Sequence, residues 1–290
     1  MAKYVNITAN DTILTTEKVT KGLFTGDVGT KAGSSFATSS LSATQNSYYY
    51  TMQLSSEDQF SVTYGHKGGS GSADAATNTF GKTRAIYKQF ASMLLPFDDV
   101  ETGFVINNVT QSDCFFIQFE RARMKDRVNK KNWTLNLSGS SGLSSGTGTS
   151  GSTLSLTDDS NVSASSISPV GPCYNIVNGT LGSVTNATPY GKFYPNVGIL
   201  VLSQQRLSAS LPGSSSYVTK GDPYLHKNHG VGFARDARNT GAADNAGKLV
   251  NSILLGGTWT FRSEEDQTSA TYFCRARAPE FNFSNNPTFS

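Results

Sequence analysis

The chain has 290 residues, enough for one large all-β domain or two domains of ordinary size, each with a substantial buried core. Its hydrophobic fraction is 37% and its charged fraction only 16%, so Gly, Ser, Thr and Asn stand where charge would be; this is the balance of neither a compact α/β enzyme nor a disordered charged tail. A net charge of +3 over such a length gives too weak a field to select nucleic acid or a membrane surface by itself.

Residues 1–46 are rich in Thr, Ser, Gly and Ala, with isolated apolar residues at Ile13, Leu14, Leu23, Phe24 and Phe36. That pattern predicts an extended N-terminal arm that lies on a neighbour. Residues 47–290 are expected to form a β-rich domain. Tyr48 to Leu54 and Phe60 to Tyr64 are aromatic and β-branched runs separated by polar Ser55 to Asp58, which reads as a β-hairpin. Thr83 to Leu94 carries apolar residues at helical spacing and stops before Pro96, the clearest helix in the chain.

Phe104 to Ile106 and Cys114 to Phe119 read as strands, the second so apolar that it belongs in the centre of a sheet. Leu137 to Ser168 is dominated by Ser, Gly and Thr with no charge before Asp158, the chemistry of a flexible loop. Cys173 to Val177 and Val197 to Leu202 read as strands, and 208–248 as a second irregular stretch. Ile253 to Leu255, Thr258 to Phe261 and Thr271 to Cys274 complete the expected strands. The fold class is therefore mainly β with one or two helices: a β-sandwich-like core with an extended N-terminal arm and long Gly/Ser loops near 138–168 and 208–248.

The candidate chemistry is thin. Gly81-Lys82-Thr83 precedes a helix as a phosphate-binding loop would, but Ala76 stands where the first glycine belongs and no buried strand launches the loop. A polar loop with Thr83 near the helix N-cap is the better reading. His226 and His229 bracket a turn beside Pro223 and Gly230 without a Cys or carboxylate cluster, so exposed loop histidines are expected, His66 included, and no metal or other cofactor. Cys114, Cys173 and Cys274 are widely spaced and are read as free thiols.

Carboxylates cluster at Asp98, Asp99 and Glu101 and at Glu264, Glu265 and Asp266, but adjacency does not set the separation that acid–base hydrolysis needs. No catalytic residue and no small-molecule substrate are expected. The stretch from Glu120 to Lys131 carries six basic residues; on a strand, Arg121, Arg123, Lys125 and Arg127 would line one face, able to grip phosphate or the carboxylates of an adjoining subunit. Without interleaved aromatics the face does not read as a nucleic-acid surface. Phe119 to Arg123 and Phe273 to Arg277 share an Arg-Ala-Arg after an aromatic strand, too short an echo to indicate duplication. The start lacks the apolar stretch of an export signal and no run is long enough for a membrane helix, which predicts a soluble chain with no membrane partner.

The motifs also have an order: Tyr48-Tyr-Tyr, Phe60-Ser-Val-Thr-Tyr-Gly-His66, Ile86-Tyr-Lys-Gln-Phe90 and Phe119-Glu-Arg-Ala-Arg-Met-Lys-Asp-Arg127. Gly171-Pro-Cys-Tyr-Asn-Ile176, Tyr190-Gly-Lys-Phe-Tyr-Pro195 and the segment from Arg275 to Pro287 follow. Over most of its length the chain resembles large virion structural proteins of contractile-tailed phages of marine cyanobacteria. The resemblance implies a non-enzymatic component of the phage tail, of the baseplate above all, assembled in the host cytoplasm and partnered by other virion proteins and copies of itself. Members of that family continue past the Asn-Asn-Pro element with more β-strand sequence, so the resemblance also implies a shortened form here. The expected contact surfaces are the arm, the strip Arg121, Arg123, Lys125 and Arg127, and the terminal residues Arg275, Arg277, Phe281 and Phe283. A peripheral host-surface or glycan-binding module, using Tyr217, Tyr224 and Phe233, is the alternative.

Overall fold

The computed structural model describes residues 9, 12–26, 36–39, 49–54, 57–69, 83–140, 150–210, 245–246, 249–250, 252–253 and 259–273. They are mainly β and fall into two compact units, residues 20–264 and residues 1–19 with 265–290.

The larger unit is built on one ten-stranded sheet. Its strands in chain order are β2 (Phe36–Ser39), β3 (Tyr49–Leu54), β4 (Glu57–His66), β7 (Asp113–Phe119), β9 (Leu135–Ser140), β10 (Ser150–Asp158), β11 (Ser166–Ser168), β12 (Gly171–Thr180), β13 (Ser183–Tyr194) and β14 (Ile199–Ser203). Across the sheet they run β2-β3-β4-β7-β14-β13-β12-β10-β9, with β11 on β12, and every pairing is antiparallel. The expected hairpin is β3–β4, and the apolar run at 114–119 is the central strand between β4 and β14.

Strand β7 explains how the core is arranged. On one face Phe115, Ile117 and Phe119 stand opposite Tyr64, Val62 and Phe60 of β4, while Phe115 and Ile117 also face Leu202 and Leu200 of β14. This cluster continues through Phe193, Ile176 and Leu156 to Leu135 and Leu137 on β9, and takes in Met52 of β3. One cluster thus runs from β3 to β9 along this face of the curled sheet. This core is built on a single continuous sheet.

The opposite face of β7 buries Cys114 and Phe116 beneath helix α1 (Thr83–Leu94), whose Tyr87, Phe90, Ala91 and Leu94 form the second core with Val201, Tyr194 and Phe104. Phe90 stacks on Phe116 at 4.2 Å and 5°. Gly65 on β4 admits the helix, because a Cβ there would lie 2.9 Å from the Tyr87 backbone nitrogen. The buried Tyr87 hydroxyl donates to the Gln111 carbonyl at 2.7 Å and accepts from the Phe104 N–H at 3.0 Å, tying α1 to the small hairpin of β5 (Val105–Ile106) and β6 (Val109–Thr110). Tyr87→Phe keeps the ring and strands both backbone partners; a loss of about 2–3 kcal/mol in urea unfolding is expected, with an unchanged denaturant slope.

Several expectations are corrected. The presumed loop 137–168 contains β10 and β11, because Leu154 and Leu156 alternate with Ser and Thr and stand opposite Leu137 and Leu135. Residues 252 and 253 are helical, with 245, 246, 249 and 250, because Ala246, Leu249, Val250 and Ile253 recur at the spacing that buries one helix stripe. The expected strands at 258–261 and 271–274 belong to one, β15 (Trp259–Tyr272). The expected arm is divided: residues 36–39 form a strand of the main sheet, while β1 (Thr12–Gly26) is hydrogen-bonded to β15. Helix α3 (Gln204–Ser210) follows β14, and most of the expected irregular stretch 208–248 lies outside the described residues.

In the smaller unit, β1 and β15 form a ribbon in which the Thr16 and Thr268 hydroxyls meet at 3.3 Å. Residues 13–19 and 266–272 are all exposed.

Candidate functional site

The basic strip does not lie on a strand. Arg121–Met124 is a short helix, α2, because Met124 is drawn into the core beside Phe119, where Gly198 leaves space for its sulfur. Lys125 takes a positive φ of 62°, and only Arg127–Val128 is extended, as β8. Arg121, Lys125 and Lys131 are exposed, Arg123 half-buried, and Arg121 donates to the Asp126 carbonyl at 3.1 Å. The strip is a ledge of charges spread around a turn, and not the single row that alternation suggests.

Arg127 is tied down. Its Nε lies 2.9 Å from Glu264 Oε1, off the hydrogen-bond axis and so held by charge, while Glu264 Oε2 accepts from Asn129 Nδ2 at 2.7 Å. Asn129 in turn accepts from Asn132 Nδ2 at 2.5 Å. These contacts fix Glu264 and Ser263 of β15 opposite Arg127 and Val128. Both oxygens of Glu264 are thereby committed to the fold. Of the other carboxylates, Glu265 is half-buried and Asp266 exposed, and Glu101, also exposed, pairs with Lys88 at 2.6 Å, which holds its carboxyl below the ordinary range.

His66 is buried on β4, contrary to the expected exposed loop site. Its Nδ1 accepts the Gly68 N–H at 2.9 Å, which places the neutral ring's proton on Nε2, 3.5 Å from Asp113 Oδ1. The Tyr64 hydroxyl donates to the same oxygen, and burial followed by the Asp113 charge pushes the Tyr64 phenol far up. With Tyr64 held as a donor to Asp113 and His66 beside it, the cluster fastens β4 to β7.

Cys114 and Cys173 are buried free thiols, and burial raises both above the ordinary thiol value. Their neutral forms persist to alkaline pH, so at about pH 8.5 iodoacetamide should leave both unmodified in the folded chain and label both after denaturation, read by peptide mass spectrometry. Labelling of the native chain at the denatured rate would contradict this placement. Among the described residues no three His, Cys, Asp or Glu side chains gather as a metal site requires, and no helix is long and apolar enough to cross a membrane. Thr83 begins α1 fully buried. Gly81, Lys82, Tyr217, Tyr224, His226, His229, Phe233, Cys274, Arg275, Arg277, Phe281 and Phe283 lie outside the described residues.

Two apolar surfaces stand out, the first on the expected arm and the second not foreseen in the sequence. On the ribbon, Ile13 and Leu14 of the arm and Tyr272 are each more than half exposed. By strand alternation Leu14 and Tyr272 share the Thr16–Thr268 face and Ile13 lies on the other, so both faces present apolar side chains. In the larger unit, the 3-10 turn Phe97–Asp99 after α1 holds Phe97 92% exposed beside the exposed Asp98 and Asp99. Only tertiary structure reveals such exposure. No protein-family model matches the chain, and no curated protein or solved structure matches it either.

Proposed function

We propose that this chain is a structural subunit of a phage particle, a component of the tail baseplate, which acts through contacts with copies of itself and with other virion proteins. The observation that carries this reading is the β1–β15 ribbon, with apolar side chains on both exposed faces. A two-stranded ribbon standing in water is marginal, and exposed apolar residues along it are sites for a partner. The order of motifs from Tyr48 to Pro287 supplies the kind of assembly. Interfaces of this type are built from the Tyr, Phe and Arg side chains that the chain presents.

The test is a paired substitution on one ribbon face, Leu14→Ser with Tyr272→Ser. Both side chains are exposed, so the unfolding midpoint should stay within measurement error. Incorporation into particles, measured by quantitative mass spectrometry after complementation, should fall by roughly tenfold or more, the effect of losing an interface anchor. Normal incorporation of the folded variant would remove the ribbon from the account.

A further inference from the structure

Resting on that reading, the geometry points to head-to-tail self-association: the Phe97–Asp99 turn of one copy docks on the basic ledge around Arg121 and Lys125 of the next. The turn is a rigid protrusion. Asp99 N–H bonds to the Pro96 carbonyl at 2.9 Å, Gly103 N–H to the Asp99 carbonyl at 2.8 Å, and Leu94 and Phe104 are buried below it. Phe97 is therefore held out at 92% exposure by a fixed base. The Asp98 and Asp99 carboxylates make no hydrogen bond or ion pair among the described residues.

The ledge is complementary. Arg121 is positioned by bonds to the Asp126 and Asn196 carbonyls, which leave its positive charge uncompensated by those partners. Lys125 is exposed, and so is Arg262 on β15, whose carbonyl accepts the Asn129 N–H at 2.8 Å. Glu120 and Asp126 are the acids of the ledge, and the Arg127 charge is met by Glu264. An aromatic ring followed by two carboxylates fits such a surface: the carboxylates pair with Arg121 and Lys125, and the ring lies against a guanidinium.

The protrusion and the ledge are anchored in different cores. Helix α1 packs on the core with Phe116 and Val201, whereas Met124 and Val128 beside the ledge pack in the core with Phe119 and Phe261. Both surfaces stay exposed within one chain, so neither is covered by the other there, and the partner that carries the complement is a second copy. Because the joined surfaces differ, the contact is heterologous and extends into a ring or stack.

Sedimentation velocity on the whole chain and two variants tests this. Asp98→Lys with Asp99→Lys destroys the protrusion, and Arg121→Glu with Lys125→Glu destroys the ledge; all four positions are exposed, and circular dichroism and unfolding midpoints check folding. The wild-type chain should form species larger than a dimer that dissociate as salt rises. Each variant should associate at least about tenfold more weakly, and their equimolar mixture should stop at dimers, since one intact ledge meets one intact protrusion. Undiminished association of either folded variant, or a mixture that stays monomeric, overturns the proposal. A wild-type chain that is monomeric throughout also overturns it, and would assign the protrusion to a different virion protein without touching the structural role. Absence of the chain from purified particles would sink the structural role itself, whatever the association in solution.

Discussion

Trp133→Ala should destabilise the larger unit by about 3–5 kcal/mol, the range for truncating a fully buried large aromatic. Trp133 joins three strands of the first core. Its ring stacks on Phe261 at 5.4 Å and 10°, lies against Phe193 at 5.3 Å, and reaches Phe119 through the Phe119–Phe261 contact at 4.5 Å. The Trp133 carbonyl also accepts the Thr157 hydroxyl at 2.8 Å, and that hydroxyl accepts the Gly182 N–H at 2.8 Å. Leu181 and Gly182 form the tight turn of the β12–β13 hairpin, both with positive φ. A cavity at Trp133 is surrounded by elements fixed in this way and has little room to collapse.

Trp133→Phe separates size from polarity. The indole N–H is buried without a partner among the described residues, so Phe removes an unsatisfied donor while giving up part of the ring. A cost of about 1 kcal/mol or less is expected, measured by the same chemical denaturation. Equal losses for Phe and Ala would show that the packing assigned to the ring is wrong.

Glu264→Ala should cost about 2–4 kcal/mol, because it removes the carboxylate that Arg127 and Asn129 share. The Arg127 side chain is 28% exposed and recovers part of this by turning to water, which places the value below that of a fully buried pair. Replacing both partners, Arg127→Met with Glu264→Leu, should return the chain to within about 1 kcal/mol of wild type, since removing a buried pair whole is often neutral. A double-mutant cycle reads the coupling directly. If Glu264→Ala left stability unchanged, the carboxylate would be available for other chemistry, including the hydrolysis that its neighbours Glu265 and Asp266 suggest in the sequence.

Legibility followed the strength of local periodicity. The Cys114 to Phe119 run could only be a strand covered on both faces, and Thr83 to Leu94 showed its helical stripe and its stop. The alternation of Leu154 and Leu156 was equally regular but short, and it sat in a Ser/Gly-rich tract whose composition outweighed it. Ala246, Leu249, Val250 and Ile253 carried a helical spacing that the run Ile253 to Leu255 disguised as a strand. At 121–127 the alternation of basic residues was real in sequence and irrelevant in space, because burying Met124 bends the backbone into α2 and through the positive φ of Lys125. The Arg127–Glu264 and Tyr64–Asp113–His66 clusters join residues distant in the chain, so no local pattern announces them. Among the expected contact residues, Arg121, Arg123 and Lys125 belong to the ledge, whereas Arg127 serves the fold.

The proposed role in a phage particle is tested most directly by the protein content of virions purified from a phage whose genome is found to carry this sequence, measured by mass spectrometry with peptide quantification. As a structural subunit it should be present in multiple copies per particle and should remain with the tail fraction after heads and tails are separated. Complete absence from particles in which other tail proteins are quantified would contradict the account.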